Sequence, residues 1–182
     1  LDVLLINGRR WDGPAQGGAS SRLFRNAGGG VFHDVTDRTG WSFSAYGMGA
    51  TVADYDADGD PDVFLTCLGD NRLMRNDGGH FTDVTAAAGV GGSHWLDAAG
   101  QTRPEWSTGS AWVDVDRDGW PDLAVVNYVQ WSPVSDIYTS LDGAEKSDAT
   151  PEPYAGSTCR LYRNLGDGTF ADITAATGTG DP

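Results

Sequence analysis

An acidic loop is written twice along this chain, sixty residues apart. Residues 54–62 read DYDADGDPD and residues 114–122 read DVDRDGWPD. Both fit D-x-D-x-D-G-x-x-D, and the spacing from Asp54 to Asp114 (114 − 54 = 60) equals that from Asp62 to Asp122 (122 − 62 = 60). Four carboxylates within nine residues repel one another unless a cation sits among them. Their return at a fixed spacing points to a modular fold.

The text around the loop recurs as well. An apolar run follows each copy, VFLTC at 63–67 and LAVVN at 123–127, and VLLIN at 3–7 matches it with Asp2 in the place of the loop's last aspartate. A second phrase reads RLFRN at 22–26, RLMRN at 72–76 and RLYRN at 160–164, each followed by a glycine turn. A third reads FHDVT at 32–36, FTDVT at 81–85 and FADIT at 170–174, and Gly40, Gly89 and Gly178 close the units. Strand-like segments precede both complete loops, GMGATVA at 47–53 and TGSAWVD at 108–114.

Each full unit thus offers four short strands, with the glycines supplying the positive φ that tight hairpin turns need. The apolar run has hydrophobic side chains at consecutive positions, so both its faces must be covered. Four-stranded antiparallel blades stacked face to face satisfy that, which predicts an all-β fold, a β-propeller. Blade one (1–40) holds three strands; blade two (46–90) and blade three (106–178) hold four. That is nearly three blades, where propellers close with about four to eight. The expectation is a partial propeller, a mature or excised piece that docks against further propeller segments or subunits at its open blade edges.

Two insertions interrupt the pattern, residues 91–106 and residues 128–158. Both are expected to be irregular loops on a propeller face, where repeat proteins tend to bind. Trp95, Trp106, Trp131, Tyr138 and Tyr154 fall within them. These aromatics either stack on sugars or anchor a protein partner, or they pin the long loops to the blades. Trp112 and Trp120 flank the second acidic loop and read as packing, and Trp11 and Trp41 complete the seven tryptophans.

Aspartates at alternating positions with glycine at the sixth allow a tight loop to wrap a hard cation. Ca²⁺ takes six to eight oxygens at about 2.3–2.6 Å, whereas Mg²⁺ suits such all-protein cages poorly. Asp54, Asp56, Asp58 and Asp62 are expected to give side-chain oxygens and Asp60 a backbone carbonyl. Asp114, Asp116, Asp118 and Asp122 repeat the set, with the carbonyl of Trp120. Two Ca²⁺ ions are therefore expected, as staples rather than reaction centres, because protein oxygens fill the coordination positions. An EF-hand would need Glu at position twelve, and Leu65 and Val125 stand there.

The ordered phrases resemble FG-GAP/VCBS repeats, the calcium-binding blades of integrin α-chain propellers. They resemble more closely the repeats of the ASPIC/UnbV group, which includes cartilage acidic protein 1. The likeness covers nearly all of the chain outside the insertions. It implies a propeller of seven or eight blades, secreted or periplasmic, used for binding.

The formal charge of −14, from 26 acidic and 12 basic residues, speaks against nucleic acid and anionic membrane as partners. No apolar run reaches the roughly 18 residues of a membrane span, and no signal-like segment opens the sequence. Cys67 and Cys159 neither demand nor exclude a disulfide. Arg25, Arg75 and Arg163 are expected to pair across strands with Asp34, Asp83 and Asp172. Asn26, Asn76 and Asn164 read as turn caps. His33, His80 and His94 have no ligand spacing, and no nucleophile elbow or phosphate loop is present. The sequence thus predicts a non-catalytic, calcium-binding propeller segment in extracellular or periplasmic protein–protein contact or adhesion. The alternative is a glycan-binding or glycan-processing protein whose insertions shape the site.

Overall fold

The structure, a computed structural model, describes residues 2–8, 21–41, 43–140, 143–144, 147 and 150–180. Trp11 and residues 141–142, 145–146 and 148–149 of the second insertion lie outside them. Three antiparallel sheets follow one another along the chain. Blade one consists of β1 (Val3–Leu5), β2 (Arg22–Gly28) and β3 (Val31–Asp34), in that spatial order. Blade two consists of β4 (Gly47–Ala53), β5 (Asp62–Cys67), β6 (Arg72–Asp77) and β7 (His80–Asp83). A separate hairpin, β8 (His94–Leu96) and β9 (Thr102–Pro104), comes next. Blade three consists of β10 (Ser107–Val113), β11 (Asp122–Asn127), β12 (Arg160–Asn164) and β13 (Phe170–Asp172). The fold is all-β and partial propeller-like, as the repeats predict. No helix among the described residues is long and apolar enough to cross a membrane.

The hairpin corrects the expectation of an irregular first insertion. Asp97 organises its turn: Oδ1 accepts from the backbone N–H of Ala99 at 2.9 Å and of Gln101 at 2.8 Å, and Oδ2 accepts from Arg103 Nε at 2.8 Å. Strands of three residues are too short for alternation to be read; the D-A-A-G turn was the available signal. The second insertion contains no named strand among its described residues, only isolated bridges such as Val129 with Gly156.

Burial follows the stacking. All six residues of β5 are buried, because a blade covers each of its faces. Val63 and Met74 join Trp41 and Phe81 in a core with Leu4 and Leu23 of blade one. Phe64 and Leu73, on the opposite face, join Tyr55, Leu123, Val125, Tyr162 and Phe170 in a core shared with blade three. Full burial of the apolar run is confined to this central strand. Val126 of β11 is 50% exposed and Leu5 of β1 is 51% exposed, because nothing among the described residues covers their outward faces.

The recurring phrases have a common physical meaning. In each unit the aspartate of F-x-D-V/I-T accepts from the threonine two residues on: Thr36 N to Asp34 at 3.0 Å, Thr85 N to Asp83 at 3.0 Å, Thr174 N to Asp172 at 2.9 Å. The threonine hydroxyl in turn accepts from the leucine N–H of R-L-x-R-N: Leu23 at 3.0 Å, Leu73 at 2.9 Å, Leu161 at 3.0 Å. A single helical turn follows each threonine (Thr36–Arg38, Thr85–Ala88, Thr174–Thr177), too short to leave a periodic signature. Gly40 ends the first of these at φ 75°, where an added Cβ would collide with the Phe81 carbonyl of the next blade.

The predicted arginine pairing is corrected by one turn of the pleat. Asp34, Asp83 and Asp172 pair with Arg22 (3.2 Å), Arg72 (3.1 Å) and Arg160 (3.8 Å), the first arginine of each phrase. Register places Asp83 opposite Met74 and Asp34 opposite Phe24. Arg25, Arg75 and Arg163 therefore point to the other face, since side chains alternate along a strand. Arg75 pairs with Asp77 at 3.0 Å instead. The two cysteines are not bonded: Cys67 is buried and Cys159 exposed.

Candidate functional site

Strand direction sorts the molecule into two ends. The β4–β5 and β10–β11 connections, which are the acidic loops, lie at one end with the glycine turns of β6–β7 and β12–β13. The β5–β6 connection, the β8–β9 hairpin and the second insertion lie at the other end. That division follows from antiparallel order alone.

Within each acidic loop the fourth position is left-handed, Ala57 at φ 57° and Arg117 at φ 64°, and the sixth is Gly59 at 96° and Gly119 at 94°. This curls the chain so that the first aspartate takes two backbone donors. Asp54 accepts from Asp58 N at 3.1 Å and Gly59 N at 3.0 Å; Asp114 accepts from Asp118 N at 3.2 Å and Gly119 N at 3.1 Å. Carboxylate oxygens of Asp54, Asp56 and Asp58 come within 4.8 Å of one another, and so do those of Asp114, Asp116 and Asp122. Asp56 Oδ1 is buried without a hydrogen-bond partner. An orphaned buried carboxylate oxygen facing two more carboxylates is what a divalent cation would satisfy. The residues present therefore fit the ion.

The ninth aspartate does more than the sequence suggests. Asp62 is fully buried; Oδ2 accepts from Tyr55 N at 3.0 Å and Oδ1 from Asn76 N at 2.8 Å. Asp122 repeats this with Val115 N at 2.9 Å and Asn164 N at 2.8 Å, and Asp2 accepts from Asn26 N at 2.9 Å. The ninth aspartate thus ties the loop to the R-L-x-R-N strand. Asp60, expected to offer its carbonyl, also uses its side chain, accepting from Gly78 N of the glycine turn at 2.7 Å. The N–H of Trp120 donates to Asp118 at 2.9 Å, and its ring lies against Gly166 of the other glycine turn.

The three asparagines cap their turns as expected, with Oδ1 accepting from Gly28 (2.8 Å), Gly79 (2.8 Å) and Gly166 (2.9 Å). Asn164 goes further. Its Nδ2 donates to Pro121 O at 3.1 Å and, across the blade interface, to Tyr55 O at 2.8 Å. The Tyr55 ring lies 5.7 Å from that of Phe170 and 6.3 Å from that of Trp112. The first acidic loop is thereby clamped to blade three.

Burial pushes the Asp62 carboxyl up to about 6, with Asp56 and Asp58 adding to the rise against its two N–H donors. Burial, then Asp58 and Asp54, also raises Asp56. A raised carboxyl favours the fold when protonated, so between pH 7 and pH 5 the ion-free protein gains stability from Asp62. Cation binding needs the ionised form and must expel that proton below about pH 6. The rise in melting temperature on adding calcium is therefore expected to be smaller at pH 5 than at pH 7. Paired thermal melts at the two values check this, and an equal rise would contradict it.

At the opposite end, most insertion aromatics pin loops. Trp95 donates to Pro104 O at 3.1 Å, Trp131 to Asp136 at 3.2 Å, and the Tyr154 hydroxyl to Asp136 at 3.2 Å. Trp106 packs edge-on against Tyr128 at 5.4 Å and tilted against Trp131 at 5.5 Å. Tyr138, Leu96 and Val134 instead stand exposed, at 63%, 69% and 73%. A cavity of about 420 Å³ between blade two and the hairpin is lined by the polar Ser44, Asp70, Arg72, His94 and Thr102 together with apolar neighbours such as Leu68 and Pro104.

The sequence gives no hint of a buried polar knot under this end. Glu105 accepts from Arg160 Nη2 at 2.7 Å, Asn127 Nδ2 at 2.9 Å and Ser93 N at 3.2 Å. Asn71 donates to Ser107, which donates to Asn127, at 3.1 and 2.7 Å. Arg160 opens R-L-Y-R-N and Asn127 ends L-A-V-V-N, but Asn71, Ser93, Glu105 and Ser107 lie outside the recurring phrases, and only the fold brings the six together.

No curated protein matches the chain. The family model of the FG-GAP-like repeat matches residues 1–65 and 54–125, spanning two of the three repeated units and entering the third. With the repeated text and the stacked four-stranded sheets, that match settles the family: the chain belongs to the FG-GAP-like repeat family.

Proposed function

We propose that this chain is a non-catalytic, calcium-stapled propeller segment that makes protein–protein contacts outside the cytoplasm, in an adhesion-like role. Repeats of this family form β-propeller-like protein-interaction modules and generally serve as scaffolds rather than catalysts. The observation that carries the reading is the division of labour between the ends. Acidic loops and glycine turns interlock at one end, while both insertions, with exposed Tyr138, Leu96 and Val134, gather at the other. Asp54, Asp56, Asp58 and Asp62, with the Asp60 carbonyl, would hold one ion. Asp114, Asp116, Asp118 and Asp122, with the Trp120 carbonyl, would hold the second. An ion here supplies charge neutralisation and fixes the loop. Loops of this kind suit the millimolar calcium of extracellular fluid, which supports an extracellular or periplasmic setting. The phrase order supports the finer kinship with the ASPIC/UnbV group and the blades of integrin α-chains.

Ligand linkage sets the size of the effect. Calcium at one hundred times its dissociation constant stabilises a site by about 2.7 kcal/mol. Adding calcium to chelator-treated protein is expected to raise the melting temperature by several degrees, with two equivalents found by elemental analysis. Asp56→Ala and Asp116→Ala should each remove one equivalent. A melt unmoved by calcium, with no bound metal, would overturn the ion assignment.

The polar cavity supports a second reading, a glycan-binding site between blade two and the hairpin. A glycan array probed with the whole chain separates the two. Binding lost on Asp70→Ala, with the melt retained, would favour the glycan reading over protein contact.

A further inference from the structure

Resting on the calcium reading of the first acidic loop, we propose that blade three completes that site from outside. Asn164 and Phe170 act as positioning residues for the ion, and filling the loop in turn tightens the joint between blades two and three. The candidate ligands Asp54, Asp56 and Asp58 all belong to blade two. Tyr55, the residue between the first two of them, packs instead into the neighbouring blade. It is 2% exposed and shares a core with Trp112, Leu123 and Phe170 of blade three.

The backbone around that ring is held from both blades. The Tyr55 N–H donates to Asp62 Oδ2 of its own blade at 3.0 Å, and the Tyr55 carbonyl accepts from Asn164 Nδ2 of blade three at 2.8 Å. A peptide unit is planar, so the bond to the Tyr55 carbonyl also orients the plane that carries the Asp56 N–H. Asp56 is the residue whose buried Oδ1 has no hydrogen-bond partner. It also borders the joint: a cleft of about 340 Å³ is lined by Asp56 and Arg75 of blade two and by the 166–169 turn of blade three. Asn164 is itself fixed within blade three. It is 1% exposed, its Oδ1 accepts from Gly166 N at 2.9 Å, and its backbone N–H donates to Asp122 at 2.8 Å. A donor anchored in this way holds the Tyr55–Asp56 peptide in place before an ion arrives, and a loop ordered in advance binds more tightly than one ordered on binding. Linkage makes the effect reciprocal: whatever blade three adds to ion affinity, the bound ion adds to the docking of blade three.

The test uses the whole chain carrying Asp116→Ala, which leaves the first loop as the calcium site, and titrates it with calcium by calorimetry. Asn164→Ala and, independently, Phe170→Leu are expected to weaken that affinity about fivefold or more, although neither side chain is a ligand. Amide hydrogen exchange supplies a readout that needs no change in blade three. In the Asp116→Ala chain, calcium is expected to slow exchange across residues 160–170 of blade three, although its remaining ion lies in blade two. A merely structural role would lower the melting temperature of both variants in chelator and leave affinity and exchange unmoved. An affinity unchanged in both variants, or protection confined to blade two, would overturn the proposal while leaving the calcium reading intact. An Asp116→Ala chain that binds no calcium would overturn the calcium reading of the first loop, and the coupling with it.

Discussion

Asp62→Ala is expected to cost about 4 kcal/mol of unfolding free energy in chelator-treated protein. The substitution leaves the backbone N–H groups of Tyr55 and Asn76 without their acceptor at a fully buried site. Each such orphan costs about 1–3 kcal/mol. Asp62→Asn should cost less, because an amide oxygen still accepts one bond while its NH₂ faces the other donor. Part of the loss is offset, since burying the ionised carboxyl is itself unfavourable and pushes it up to about 6. Urea unfolding of the two variants and the parent checks the order. An Asp62→Ala loss below about 1 kcal/mol would show that water replaces the carboxylate, and the tie between loop and β6 would lose its energetic role.

Glu105→Ala is expected to cost about 3 kcal/mol. It removes the close partner of the Arg160 guanidinium and leaves Asp172, at 3.8 Å, as its remaining carboxylate. Glu105 is 7% exposed and Arg160 21%, so the pair lies largely out of solvent. Removing one partner of such a pair strands the other charge, which outweighs the net worth of the pair itself. Asn127 Nδ2 keeps Thr158 O at 2.7 Å, so that amide survives the change. The Ser93 N–H loses its acceptor. For a chain of this length the loss corresponds to a fall in melting temperature of about 6–12 °C. Removing Arg160 as well should restore part of the stability, so Glu105→Ala/Arg160→Ala should melt higher than the sum of single losses predicts. Strict additivity would show that the two charges do not interact.

The architecture was legible because repetition multiplies weak signals. A five-residue apolar run or one R-L-x-R-N phrase means little; three ordered copies separated by glycine turns fix strand number and order. The acidic loops were legible for a similar reason, since alternating aspartates around a glycine have few other uses. Pairing finer than one strand was less accessible. Both arginines of R-L-x-R-N look equivalent in the text, but Arg72 and Arg75 fall on opposite faces, and register alone selects Arg72 for Asp83. The hairpin at His94–Pro104 was obscured by strands of three residues.

The sequence by itself determined the blade, its four-strand order, the two acidic loops and the place of the insertions in the repeat. These depend on local patterns, which side-chain periodicity and turn chemistry make explicit. Tertiary structure decided the rest, because it depends on residues far apart in the chain. It gave Asp62 and Asp122 a second role as strand ties and joined Asn164 to Tyr55 across 109 residues. It gathered Glu105, Asn127 and Arg160 into one buried knot. Contacts between repeats are set by how sheets stack, and stacking leaves no periodic mark in the text of any single repeat.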